Sequence, residues 1–280
     1  MARTRFQLYR YQLLPRERQF QGDLYGFATL EQLIAEKNNI FEHAILSSEF
    51  FTADSQERTK KLIHREGNLF VYKLAISREV SLETKEFSKR NTQTWPSVLL
   101  VIWNDPDKQV IAIQQKNRAF QNPKAAVKMA LGSIKDFLAR QNLICIPEPI
   151  FEEKAFWDLA RRYEGRINRL EFEIVTPNMA SISESLTSDL KAFAKESNAV
   201  KSTIAIEAAP GSALDVTPDN KMVEGLTEYS AKGGGEIRLK IRGLKKTIHT
   251  SHSTKEIEID ETDISGDASM VVAALREIFE

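Results

Sequence analysis

Cysteine is nearly absent from this chain of 280 residues, which has only Cys145, in the apolar run LICIP. A single thiol excludes a disulfide within the chain and a zinc site built from several cysteines, and its apolar surroundings predict a buried, unreactive side chain. Long apolar runs are missing too, since none approaches the roughly 18 residues of a membrane-spanning helix. The basic N-terminus, MARTRFQLYR, lacks the apolar segment of a secretory signal. We therefore expect a cytoplasmic protein with no membrane contact.

The short motifs that identify many enzymes are also missing. The sequence contains no P-loop, no GxSxG, no HExxH and no Cys/His spacing typical of a metal site. His249 and His252 lie in the polar segment HTSH, but no carboxylate or cysteine stands at a diagnostic spacing from them. These absences predict no catalytic residue, no metal and no cofactor, and they favour a protein that is not an enzyme.

Neither sign of charge is in excess, because 39 Lys and Arg residues balance 39 Asp and Glu residues. The charges are nevertheless segregated along the chain. Residues 236–255 contain six Lys or Arg and one acid, about +5, whereas residues 256–280 contain eight acids and one Arg, about −7. The first twenty residues are basic as well. Segregation of this kind allows local binding patches on a protein whose total charge is zero.

Apolar patterns over residues 1–145 predict a domain made mostly of strands. The segments SVLLVIW and QVIAIQQ, joined by the turn-forming NDPDK, are typical of a hairpin. Because LLVIW is apolar at every position, both of its faces should be covered, and a helix such as ATLEQLIAEKNN or NPKAAVKMALGSIKDFLARQN should supply the second cover. The charged segment SREVSLETKEFSKRNTQTWP is expected to be an exposed arm. We predict a mostly antiparallel sheet with one or two covering helices.

Strands and helices alternate over residues 146–280, which indicates a second domain of the α/β type. The strands are short, and the helical segments between them are amphipathic. We predict a small open sheet that is covered mainly on one face by helices, with the domain boundary near PEP at residues 147–149. The fold class of the whole chain is thus α+β or α/β.

The segment GGGEIRLKIRGLKK, residues 233–246, is the clearest local indication of function. Its alternation puts apolar side chains on one strand face and cations about 6.6 Å apart on the other, a spacing comparable to that of successive phosphates. The cationic face and the turn beyond it comprise Arg238, Lys240, Arg242, Lys245 and Lys246. The glycines either admit a phosphate close to the backbone or end the preceding helix. The cations either bind phosphates or are neutralised across a hairpin by EIEIDE, residues 256–261.

Two further groups of basic residues are candidates for the same role. The segment RRYEGRINR closes a helix and opens the next strand with four arginines, Arg161, Arg162, Arg166 and Arg169. Arginine at the end of a helix can also serve only to compensate the helix dipole. In KNRAF, Lys116 and Arg118 precede a helix, and Phe120 is available for stacking on a base. We predict that all three groups contact nucleic acid.

Acidic residues on neighbouring strands leave a second hypothesis open. Glu171, Glu173 and Glu207 belong to the predicted strands EFEIV and IAIEA, and Lys201 is nearby. Carboxylates with a lysine are what a metal-dependent nuclease uses. The competing interpretation is that these acids are the outward-facing residues of ordinary strands.

The order of features over about residues 40–195 resembles the RexA proteins of lambdoid phage exclusion systems. An aromatic strand (NLFVYKLAIS) is followed by a charged excursion, a Pro-led buried strand (WPSVLLVIWND), its hairpin return (VIAIQQKNRAF) and a helix. IPEPIF, the basic strand RINRLEFEIVTP and an amphipathic helix come next. The resemblance implies a two-domain DNA-binding protein that dimerises, acts in phage exclusion or antiphage defence, and works with a separate effector protein.

These patterns together predict a non-enzymatic protein that binds nucleic acid, DNA in preference to RNA, in phage exclusion or antiphage defence. The open alternatives are a metal-dependent, nuclease-like effector and a protein-interaction module of a defence complex. A homodimer is expected, because SVLLVIW and the charged arm before it could support strand exchange between chains.

Overall fold

The computed structural model describes residues 3–17, 27–48, 57–176 and 184–260, together with residues 273, 274 and 276. Its helices are α1 (Leu30–Ser47), α2 (Pro123–Gly132), α3 (Lys135–Arg140), α4 (Glu153–Arg162), α5 (Ser188–Glu196) and α6 (Lys221–Tyr229). Its strands are β1 (Arg3–Pro15), β2 (Arg58–Glu66), β3 (Leu69–Ile76), β4 (Arg78–Glu83), β5 (Lys89–Thr94), β6 (Ser97–Trp103), β7 (Val110–Gln114), β8 (Leu143–Pro149), β9 (Ile167–Val175), β10 (Lys201–Glu207), β11 (Gly235–Ile241), β12 (Ile248–His249) and β13 (Glu256–Asp260). Within these ranges, no helix combines the length and the apolar composition that crossing a bilayer requires.

The first sheet has seven antiparallel strands, which confirms the predicted sheet-rich first half. Its order is β13, β1, β7, β6, β3, β2, and β8 also pairs with β1. Because β1 has 13 residues, one of its edges is long enough for two partners placed end to end. β13 lies beside residues 3–7 and β8 beside residues 9–15. The charged segment expected to be an exposed arm forms the hairpin of β4 and β5.

The predicted hairpin of SVLLVIW and QVIAIQQ is present as β6 and β7. β6 is buried on both faces: Leu100 belongs to the larger core, which includes side chains of α1 and α2, and Val101 belongs to a smaller core on the other face. α1 is held on the sheet by Phe41, whose ring stacks on Tyr11 with centroids 4.6 Å apart. β6 lies between β3 and β7, so it has no free edge for the strand exchange that its sequence suggested.

The second sheet is a small open one, as predicted, with the antiparallel order β10, β9, β11, β12. Alternate residues of β9 and β11 face a core that also contains Phe156 of α4 and Tyr229 of α6. Asn220 caps the start of α6, because its side chain accepts a hydrogen bond from the backbone N–H of Met222 at 3.2 Å. Helices therefore cover one face of this sheet, and the other face carries charged residues.

The acidic segment does not pair with the basic strand, so the hairpin considered for residues 256–261 is wrong. β13 instead returns to the first sheet and pairs with β1, where Arg5 is opposite Glu258. β11 has β9 on one side and the two-residue β12 on the other. The predicted boundary between residues 145 and 146 falls inside β8, and β13 joins the sheet of the first half.

The glycine triplet lies where the two sheets meet. Gly233 ends the helical turn after α6 with φ +84°, and a Cβ atom there would lie 2.4 Å from the Cβ of Arg10 on β1. A Cβ at Gly235 would lie 1.8 Å from the backbone oxygen of Glu173. Arg10 Nε donates to the backbone oxygen of Lys232 at 2.6 Å and ties the turn to β1. The glycines thus end a helix and permit close backbone packing.

Candidate nucleic-acid interface

The outer face of the second sheet is a ladder of charged side chains. Apolar residues of β9 and β11 occupy the inner face, so the alternate positions point outward. The strand register puts Glu236 opposite Glu173, Arg238 opposite Glu171 and Lys240 opposite Arg169. Side chains that are directly opposite each other on paired strands interact. The predicted basic strand is therefore real, but its outer face is shared with carboxylates.

Arg238 is fully engaged by carboxylates of its own sheet. Its Nε lies 2.8 Å from Glu236 Oε2 and its Nη2 lies 2.8 Å from Glu173 Oε2. The hydrogen bond that it donates to Glu236 is the main reason that the pKa of Arg238 lies above its ordinary value. Neutralisation of Arg238 was one of the two interpretations of the sequence. The carboxylates that neutralise it belong to β9 and β11, and not to the expected residues 256–261.

Two more of the predicted arginines also have acidic partners. Arg169 Nε donates to Glu171 Oε1 at 2.6 Å, and its Nη1 lies 3.2 Å from Glu207 Oε2. Arg161 pairs with Asp158, three residues earlier on α4. The local sequence could show the second pair, because residues three apart on a helix are neighbours.

Five other cations are placed by the fold near the start of β9 or the end of β11, and we call them the loop-end cluster: Arg166, Lys240, Arg242, Lys245 and Lys246. All five are exposed. None of them forms an ion pair with another residue in the ranges that the structure describes. Arg162, at the end of α4, is exposed as well and lies four residues before the first of them. Their charge is therefore available to an anion.

Two arginines of the loop-end cluster hold each other through backbone oxygens. Arg166 Nη2 donates to the backbone oxygen of Arg242 at 3.0 Å. In return, the backbone N–H of Arg242 donates to the backbone oxygen of Arg166 at 2.8 Å. Arg242 Nη1 and Nη2 donate to the backbone oxygens of Gly211 and Gly165, both at 2.9 Å. A guanidinium has five N–H donors, so donors remain for an external oxygen.

Lys116 and Arg118 lie on a different surface. They line a shallow groove of about 890 Å³ with Arg3, Arg5 and Glu258. Arg5 Nε lies 2.9 Å from Glu258 Oε1, so the acidic C-terminal strand neutralises part of this groove. Arg3 and Arg5 were not among the predicted site residues, although the basic character of the first twenty residues was the signal that could have found them.

The carboxylates considered for a metal site have cationic partners. Glu171 and Glu207 share Arg169, and Glu173 Oε1 lies 2.6 Å from Lys201 Nζ. Burial would raise the pKa of Glu173, but the hydrogen bond and charge of Lys201 and the charge of Arg238 outweigh it and hold that pKa below its ordinary value. Within the described ranges, no group of three or more His, Cys, Asp or Glu side chains is placed to hold a metal ion.

The histidines of HTSH lie beside the same ladder. The rings of His249 and His252 have centroids 5.5 Å apart, and His249 Nδ1 lies 3.3 Å from Glu236 Oε2. Burial would raise the pKa of Glu236, but hydrogen bonds from Ser251, Arg238 and His249 lower it overall. His249 is therefore a further partner of Glu236 in the charge ladder.

No family model, no curated protein and no solved structure matches the chain.

Proposed function

We propose that this protein binds nucleic acid, with duplex DNA as the preferred form, through the phosphates. The observation that carries the proposal is the loop-end cluster, in which five exposed cations lie at the end of β11, in the turn after it and just before β9, without an ion-pair partner among the described residues. Lysine and arginine supply most of the affinity of proteins for nucleic acid, because they replace the counterions of the phosphates.

The geometry of the cluster suits a phosphate backbone. Lys240 lies at the end of β11 and Arg242 in the turn that follows directly, so one short stretch of chain supplies both cations. Arg166 and Arg242 are held by backbone oxygens before any ligand arrives, so less conformational entropy is lost on binding. Contacts of this kind position a protein on a duplex but do not identify its bases. We therefore expect binding with little dependence on base sequence.

The RexA-like order of residues 40–195 supports a role in phage exclusion or antiphage defence. In that role the protein would be a cytoplasmic homodimer that contacts DNA and signals to a separate effector protein. Phosphate contacts of low sequence preference would allow it to respond to DNA of any origin.

Binding of a labelled DNA duplex, measured by fluorescence anisotropy from about 50 to 200 mM salt, tests this proposal. The double variant K245Q/K246Q should bind more weakly, and the slope of log K against log salt should decrease by about 0.9 for each lysine that contacts a phosphate. The matched control is K61Q/K73Q, which removes two exposed lysines that face each other across β2 and β3. Equal losses in both variants, or no binding at about 50 mM salt, would refute the proposal.

A further inference from the structure

A cleft of about 560 Å³ opens where the two sheets meet, and no residue of the loop-end cluster lines it. One side is formed by α2, α3 and β8, and the other by the charged ladder of the second sheet. Small-molecule sites are commonly clefts of about 300–1,000 Å³ at such junctions, with an apolar lining and a few polar groups. The position and size of the cleft therefore fit a small ligand.

The floor of the cleft is apolar. Leu131 and Leu138 contribute from the two helices, and Ile144 and Ile146 contribute from β8. The two isoleucines are only half-buried, so they present apolar surface that the fold itself does not cover. A flat ring packed on this surface would remove it from water, which is favourable for apolar area.

The rim on the helix side is cationic. Lys124 and Lys128 are one helical turn apart on α2, and Lys135 is the first residue of α3. All three line the cleft, and none of them forms an ion pair with another described residue. Three ammonium groups at one rim favour a ligand with several negative charges over one with a single carboxylate.

The wall opposite the lysines is polar, and its negative charges are already neutralised by ion pairs. Its carboxylates, Glu148, Glu173 and Glu236, are paired with Lys201 or Arg238, which also line the cleft. The lining therefore has five cationic side chains against three carboxylates, which favours anions. Paired carboxylates still accept hydrogen bonds, so hydroxyl or amino groups of a ligand would find acceptors on this wall.

A peptide strand is a poor occupant for this cleft, although β8 borders it with an edge that no described strand covers. The backbone N–H of Ile150 donates to Leu8 on β1, so the nitrogens of residues 145, 147 and 149 point to the free edge. Two of these are Pro147 and Pro149, which have no N–H to donate. Proline at an edge prevents a further strand from pairing there.

We propose that the cleft binds a nucleoside di- or triphosphate, with its base on Ile144 and Ile146, its ribose or base polar groups on the carboxylate wall, and its phosphates at Lys124, Lys128 and Lys135. This ligand class combines a flat ring, hydroxyl groups and several negative charges, which match the floor, the wall and the rim. The same chemistry is present at the phosphorylated end of a nucleic-acid strand.

Isothermal titration of the full chain with ATP, GTP, CTP and UTP tests the proposal, with adenosine and myristate as comparison ligands. At least one nucleotide should bind, adenosine should bind more weakly than ATP, and K124Q/K128Q should weaken nucleotide binding by about tenfold or more. The matched control is K154Q, an exposed lysine on α4 that does not line the cleft. It should bind like the parent protein.

A 5′-phosphorylated short single strand separates the two sources of the ligand. If only this strand binds, and binding again depends on Lys124 and Lys128, the cleft holds a strand end and the assignment to a free nucleoside di- or triphosphate is overturned. No binding of any phosphorylated probe at about 1 mM, or equal affinity in K124Q/K128Q and K154Q, would overturn it. Myristate binding without nucleotide binding would overturn it too. K245Q/K246Q leaves the cleft intact, so the two proposals fail independently.

Discussion

Lys201 Nζ on β10 lies 2.7 Å from Glu148 Oε1 on β8 and 2.6 Å from Glu173 Oε1 on β9. One ammonium group therefore joins the second sheet to the edge strand of the first. Burial would lower the pKa of Lys201, but the charge and hydrogen bonds of the two carboxylates raise it overall. The Glu148 side chain is 9% exposed, so it depends on this cation more than a surface carboxylate would.

Replacing Lys201 by methionine should lower the free energy of unfolding by about 1–2 kcal/mol, because a nearly buried carboxylate loses its partner. The value is moderate because Lys201 is 37% exposed and water screens the pair. Urea unfolding measures the effect. In a double-mutant cycle, E148Q should recover part of the loss in the K201M background. If E148Q lowers the free energy of unfolding as much in the K201M background as in the parent protein, the pair of Lys201 and Glu148 does not contribute to stability.

The carboxylates of the charge ladder predict a loss of stability in acid. The pKa of Glu173 is lower in the folded protein than its ordinary value, so its contribution is complete above the unfolded-state pKa of about 4.3 and disappears as the pH falls through the folded-state pKa. Urea midpoints measured from pH 6 to pH 3 should fall less steeply for E173Q than for the parent. E79Q, at an exposed residue of β4, should keep the parent profile; an unchanged E173Q profile would contradict the assignment.

The pairing of β13 with β1 predicts a specific crosslink. Arg5 and Glu258 are directly opposite, and opposite residues in antiparallel strands have Cα atoms about 4.5–5.5 Å apart, within the range of a disulfide. The double variant R5C/E258C should form a disulfide under mild oxidation, detected as a mobility shift that a reductant reverses. R238C/E258C should not form it, because β11 does not pair with β13. The native Cys145 should not interfere, because it lies opposite Leu13, eight residues along β1 from residue 5.

Close packing at the glycine triplet predicts a large cost for a single methyl group. G233A should destabilise the protein by about 2–4 kcal/mol, because it combines positive φ with a contact 2.4 Å from Arg10 Cβ. G67A is the matched control: its φ is also positive, at +55°, but no atom lies within 4 Å of the added Cβ. Thermal unfolding should show a loss of about 1 kcal/mol for the control. Similar losses in both variants would show that the contact with β1 is unimportant.

Local patterns were enough to predict the hairpin of β6 and β7, the buried character of β6 and the two-faced basic strand. Each of these depends on residues that are close in sequence, and the alternation of a strand decides its faces without any partner. The same alternation puts the carboxylates of EIEID on one strand face, where a cationic neighbouring strand stabilises them. The sequence by itself therefore determined which side chains of these strands face the core and which lie on the charged outer face.

Only the tertiary structure decided which partner each charged residue received. RTRFQ of β1 and RLKI of β11 both carry cations at alternate positions, so charge complementarity alone could not decide which of them pairs with the acidic strand. Arg166 and Arg242 are 76 residues apart and meet because β9 and β11 pair antiparallel. Which cations remain without a carboxylate is a property of the assembled sheets, because a charge is neutralised by what lies within a few ångströms of it, wherever that residue stands in the chain.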